Sequence, residues 1–282
     1  MSTVNVTRRA AVLGTLGFGF SASVPCFAAK EKIALDRALR FYTKGPYGAF
    51  TGLWYLHLDP RLGLDHVAQE GVDYSVGISI IPERFPSETV IEWRVPTAPP
   101  KLAGVYGYLF LNYGNYDDSP VRQPIVSRQI NNIGALSTKT TFRYDGERNS
   151  SILQEFWLTD RSLQVGDLHG HKICEVGCFL SVSKDTEAYA RSCSTVGNFN
   201  DGIRNWSVVV DRKIQPNFFM FLPSPSMDVS GDVDWKRMLG FLRDRKLLSG
   251  HEWFNGIAVG PEPRIGSGQV TIDSFEVSYS GA

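Results

Sequence analysis

The chain is poor in the residues that build metal sites and disulfide frameworks. Its 282 residues hold four cysteines and five histidines. Cys174-x-x-x-Cys178 has no histidine partner at zinc-finger spacing, so no metal site is expected. Cys174, Cys178 and Cys193 are an odd number downstream of Cys26. One disulfide with a free thiol, or three buried thiols, would both fit. Excess charge is also missing, with 29 basic residues against 29 acidic. That balance gives no reason to expect nucleic acid or an anionic membrane surface as a partner. No apolar run reaches the roughly 20 residues of a spanning helix. Internal repeats, low-complexity linkers and βαβ alternation are absent as well.

The N-terminus carries an address. Arg8-Arg9 precedes an uncharged run from Ala10 to Phe20, and small residues follow near Ala28 and Ala29. This is the pattern of a twin-arginine-type bacterial export signal over residues 1–29. The mature chain is then expected to begin near Lys30, exported to the periplasm or secreted, with no membrane association after signal removal. Without Arg8 and Arg9, 27 basic residues face 29 acidic ones, and a neutral partner is expected.

What the chain does have is strand signal. Val72–Ile81, Thr89–Trp93, Tyr106–Asn112, Thr140–Tyr144, Ile152–Leu158, Ile173–Ser183, Trp206–Asp211, Asn217–Leu222, Phe254–Val259 and Gln269–Ser278 are β-branched or aromatic runs between turn residues. Such a series predicts one all-β domain over 30–282, a two-sheet sandwich or jelly roll. One amphipathic helix is predicted over about 232–248, capped by Ser230 or Asp232, ended near Gly250 and packed on a sheet's outer face.

Two glutamates stand out. Glu262, in Gly260-Pro261-Glu262-Pro263-Arg264-Ile265-Gly266, is expected on a tight turn whose prolines restrict the backbone. A carboxylate held this way suits general acid/base work. Along Ile173–Leu180, alternation places Cys174, Val176, Cys178 and Leu180 on one apolar face and Glu175, Gly177 and Phe179 on the other. Glu175 therefore points away from the core, beside a glycine expected to leave room above the sheet. A carboxylate amid an apolar strand is costly unless it faces a cleft or a partner.

Four motifs in order resemble family 12 glycoside hydrolases, the endoglucanase and xyloglucanase family. Glu175-Val176-Gly177-Cys178-Phe179-Leu180 resembles that family's Glu-Ile-Met-Ile-Trp-Leu strand, and Trp206–Pro223 its following strand pair. Ser230-Gly231-Asp232-Val233 is similar to the Trp-Ser-Gly-Asp-Val segment that opens the family's single helix, and Gly260–Gly266 to its Gly-Thr-Glu-Pro-Phe-x-Gly turn. The resemblance covers Lys172 to the end, with looser matches upstream.

The resemblance implies a jelly-roll sandwich with a concave substrate cleft. It also implies an endo-acting retaining hydrolase of β-1,4-glucan, cellulose-like or xyloglucan-like, working as a monomer without metal or cofactor. Glu175 would be the nucleophile and Glu262 the acid/base. Trp54, in Gly52-Leu53-Trp54-Tyr55, would be a sugar platform, although the family's Asn stands here as Gly52. The family's Asp that hydrogen-bonds the nucleophile pairs best with Trp157, which would then face the cleft, and Glu155 could substitute for it. Gly177 and Phe179 replace the family's Met and Trp. With these supporting residues altered, a carbohydrate-binding jelly roll that has lost or redirected catalysis is the alternative.

Overall fold

Which side of each strand is apolar decides the layers. Val76, Ile78 and Ile80 of β4 (Ser75–Ile80) are buried, and the residues between them are half-buried. β5 (Thr89–Val95) likewise buries Thr89, Ile91, Trp93 and Val95 while exposing Glu92 and Arg94. These one-sided strands build a six-stranded sheet in the order β1 (Ile33–Leu35), β4, β5, β17 (Gly266–Gly281), β8 (Ile133–Gly146), β14 (Gly231–Asp234).

The larger sheet is apolar on both faces. Its order is β11 (Ser194–Asn200), β12 (Asn205–Asp211), β13 (Asn217–Pro223), β10 (Lys172–Ser181), β9 (Ser151–Thr159), β16 (Gly256–Glu262), β6 (Tyr108–Gly114), β3 (Tyr47–Gly52), β2 (Phe41–Lys44). Short β15 (Trp253–Phe254) pairs with β9 and with β7 (Arg128–Gln129). Within this sheet β10 and β13 run parallel.

The structure is a computed structural model that describes residues 32–35, 40–52, 69–98, 104–116, 125–163 and 170–282, all within the unit Glu31–Ala282. The export signal expected over 1–29, and Trp54, lie outside the described residues.

The main core fills the space between the sheets. Ile78, Ile91, Val270 and Ile272 of the smaller sheet meet Phe156, Val176, Cys178, Phe221 and Val259 of the larger. One polar group crosses this core. Gln154 of β9 donates to Thr140 Oγ1 (2.6 Å) and accepts from Thr138 Oγ1 (2.5 Å) and the Trp235 indole N–H (3.0 Å). All four residues are buried, and a buried amide is tolerated because its donor and acceptor are both paired.

The predicted helix forms as α2 (Trp235–Asp244), shorter than expected at both ends. Asp234, the last residue of β14, caps it by accepting from the Arg237 amide at 3.0 Å, while Asp232 lies two residues earlier in the strand, opposite Lys139. It does not pack on an outer face. Trp235, Met238, Leu239 and Leu242 join the core between the sheets, and the Trp235 ring meets Phe156 at 4.9 Å. A second helix, α1 (Lys184–Arg191), was not foreseen. Ser183 caps it, which also ends β10 at Ser181 rather than Ser183.

Trp93, Trp206 and Trp235 are core residues. The three described cysteines are free thiols, Cys174 and Cys178 buried and Cys193 half-buried, so neither a disulfide nor a full set of buried thiols is present among them.

Candidate active site

The face of the larger sheet turned away from the core gathers the candidate carboxyls. In the antiparallel register of β9 and β10, Glu175 stands opposite Trp157 and Gly177 opposite Glu155. In that of β9 and β16, Glu155 stands opposite Ala258 and Glu262 opposite Ser151. Directly paired residues point to the same side, so Glu155, Trp157, Glu175 and Glu262 share one face. The alternate residues Cys174, Val176, Cys178, Phe156 and Leu158 lie in the core, as the period of two required.

Glu155 is the hub. Its side chain is 4% exposed and lies on the strand between those of Glu175 and Glu262. The Tyr116 hydroxyl donates to its Oε1, and a hydrogen bond joins it to the Glu175 carboxyl. Two carboxyls in one hydrogen bond hold a proton between them, so the pair carries a single negative charge. The place expected for Trp157 beside Glu175 therefore belongs to Glu155. An indole has a donor but no acceptor oxygen, and the diagonal neighbour two residues along β9 is within reach of a long side chain. Trp157 sits instead beneath the Lys172 ammonium, 3.9 Å from the ring centre.

The electrostatics follow from this crowding. Burial raises the Glu175 pKa well above the carboxylate norm, Glu155 and Glu262 raise it further, and Lys172 opposes them. Burial, then the charge of Glu155, pushes Glu262 up to about 8, with Arg264 opposing. The buried Tyr108 hydroxyl, which donates to the Leu153 carbonyl at 3.0 Å, is raised by burial and then by all three glutamates. Three acids on three adjacent strands thus act on one another. At neutral pH, Glu262 keeps its proton.

Glu262 is the last residue of β16 rather than part of the turn expected for it, its backbone paired with Ser151. The preceding glycine explains the motif: a Cβ on Gly260 would lie 1.9 Å from the Leu109 carbonyl oxygen, so only glycine lets β16 lie this close to β6. Beyond Glu262, the Pro263 carbonyl accepts from the Tyr106 amide at 2.7 Å, and Arg264 pairs with Asp185 at 2.6 Å.

The space expected above Gly177 is filled. A Cβ there would lie 2.8 Å from the ring of Phe218, the residue of β13 aligned with Glu175. Phe218 belongs to a second apolar cluster on this face, with Tyr108, Phe110, Tyr116, Leu153, Phe179 and Met220. Sequence reasoning did not single out Tyr116 or Phe218. Alternation in Asn217–Pro223 placed Phe218 on one side of its strand, but only the non-local β10–β13 pairing puts it over Gly177. Among the described residues no cluster of His, Cys, Asp and Glu is arranged to hold a metal ion.

No protein-family model and no curated protein matches the chain. Solved structures do. The family 12 xyloglucanase of Bacillus licheniformis superposes with a TM-score of 0.67 at 15% identity, over 88% of this chain and 100% of that one. Endoglucanase 3 of Trichoderma harzianum, from family GH12, gives 0.67 at 16% identity, over 90% and 100%. The catalytic domain of Humicola grisea Cel12A, solved with a thio cellotetraose, gives 0.64 at 15% identity, over 88% and 99%. The chain has the two-sheet jelly-roll fold of the family 12 glycoside hydrolases.

Proposed function

We propose that the chain is a retaining glycoside hydrolase of β-1,4-glucans, exported from a bacterium to the periplasm or beyond and acting as a monomer without metal or cofactor. The observation that carries this reading is the run of three interacting acids, with Glu262 protonated below about pH 8 and Glu155 hydrogen-bonded to Glu175. The fold shared with structures named as xyloglucanase and endoglucanase supports the same substrate class.

In this reading Glu175 attacks the anomeric carbon as a carboxylate, with the shared proton resting on Glu155. Lys172 lowers the Glu175 pKa and so favours the charge on that member of the pair. Glu262 gives its proton to the glycosidic oxygen as the bond to the leaving sugar breaks. A glycosyl ester on Glu175 results. Glu262, now a base, takes a proton from water, which attacks the same carbon and frees Glu175, so configuration is retained. Trp54 and Trp157 are proposed to contact the sugars.

A second reading, a glucan-binding jelly roll without turnover, is favoured by one feature: the apolar cluster around Phe218, packed where an open polar face would serve a substrate better. The test incubates the mature protein with carboxymethylcellulose, barley β-glucan and xyloglucan beside a Glu175→Gln control. Reducing-end release with the β-anomer appearing first in the NMR spectrum supports the proposal. The α-anomer first would remove the retaining mechanism, and binding without release on any glucan would leave the second reading.

A further inference from the structure

Helix α1 lies across the carboxyl-bearing face. Its N-terminal end is tied above the start of β9: the Ser183 amide donates to Ser151 Oγ at 3.0 Å, and Thr186 Oγ1 meets the same oxygen at 2.7 Å. Asp185 pairs with Arg264, two residues beyond Glu262. At the other end, the Tyr189 hydroxyl donates to Asp211 on β12. The eight residues of α1 span about 12 Å. From β9 to β12 the sheet crosses three strand spacings of about 4.8 Å, roughly 14 Å. The register sets Ser151 beyond the Ile152–Ser181 pair and Asp211 level with Phe218 and Glu175, so the helix runs obliquely over the outer side of the sheet toward β13 and β12.

The burial pattern agrees. Val209 of β12 and Phe218, Met220 and Leu222 of β13 point away from the main core, yet each is at most 9% exposed. They pack with Ala190 of α1 and with Val182 and Cys193 on either side of it. Tyr189, a residue 41% exposed, stands close enough to Glu175 to feel its charge. Anchors on β9, on β12 and in the loop after β16, with a capped N-terminus, make α1 a fixed wall rather than a lid.

Resting on the reading of the site as a glucan hydrolase, we propose that α1 closes the substrate groove on the β13–β12 side of Glu175, so that the enzyme cleaves near chain ends and not along the chain. A glucan laid against Glu175 meets Phe218 and Tyr189 on that side and cannot continue over β13. This departs from the endo action that the sequence resemblance implies.

Two measurements test it. On carboxymethylcellulose, viscosity is followed against reducing ends released, and on cellohexaose the first products are sized. Slow viscosity loss per end released, with one short product dominant from the start, supports the wall. Fast early viscosity loss with a spread of product lengths would overturn it. In the second, Glu175→Gln is titrated with cello-oligosaccharides of two to six sugars. Affinity that stops rising before the hexaose supports the wall even if no glucan is hydrolysed, and affinity that rises through the hexaose overturns it. Failure both to hydrolyse and to bind any glucan removes the glucan reading itself, and this inference with it. Replacing 184–191 with a Gly/Ser linker should raise viscosity loss per end released several-fold. A folded replacement that leaves the ratio unchanged also counts against the wall.

Discussion

Glu155→Gln moves the charge at the centre of the site. The Gln amide can still donate to the Glu175 carboxylate and its carbonyl can still accept from Tyr116, so the perturbation is electrostatic more than geometric. Glu262 stands at about 8 against an ordinary 4.5, a rise of about 3.5 units in which burial is the largest cause and Glu155 the second. Glu155 is thus the largest charge acting on Glu262, second only to burial. In the variant the pair's single charge is confined to Glu175, one strand farther from Glu262, and this weaker repulsion lowers the Glu262 pKa. The acid form that donates the proton is then lost at lower pH. In kcat/KM against pH, the alkaline limb should fall near 8 in the parent and at lower pH in the variant, while the rate lost near pH 5 is smaller than that lost at pH 8. An alkaline limb that stays put or moves upward would refute the three-acid arrangement.

Two further outcomes follow from the same geometry. Gly177→Ala should destabilise the fold by about 1–3 kcal/mol, because its methyl would lie 2.8 Å from the Phe218 ring; a chemical denaturation midpoint reads this, and Phe218→Leu in the same chain should recover much of the loss. The raised pKa of Glu262 means that the folded state holds a proton which the unfolded chain, at 4.5, gives up. Its contribution is fully present below about 4.5 and lost as pH rises through about 8. The parent Tm should therefore drop between pH 5 and 9 by more than that of Glu262→Gln, and equal slopes would contradict the burial of this carboxyl.

The parts of the site that rest on local rules were legible in the sequence. Period-two alternation set Glu175 opposite the core-facing Cys174 and Val176, and Gly260-Pro261-Glu262-Pro263 marked a held carboxyl. Its place at a strand end, and not in a turn, depended on Gly260 passing the Leu109 carbonyl, a contact between segments 151 residues apart in the chain. Glu155 and Trp157 lie two positions apart on one strand face, so alternation could not choose between them; side-chain reach did. Phe218 depended on the parallel pairing of β10 with β13, which skips two strands of sequence. α1 is short and mostly polar, with Ala190 its one buried residue, so it left no apolar stripe to find. α2 was found by its stripe but set on the wrong side, because periodicity says that a helix buries one face and not which surface covers it.

Gln154 and Glu155 are chain neighbours that point to opposite sides of β9. The first is pegged to Thr138 and Thr140 of the smaller sheet and to Trp235, and the second carries the central acid. Any slide of one sheet over the other must break that peg, so the smaller sheet, which bears none of the candidate catalytic groups, sets the height at which Glu155 stands. Drift in Thr138 or Thr140 would then be felt as a change in acidity on the far side of the sandwich, and the two faces of this strand are expected to evolve as a linked pair.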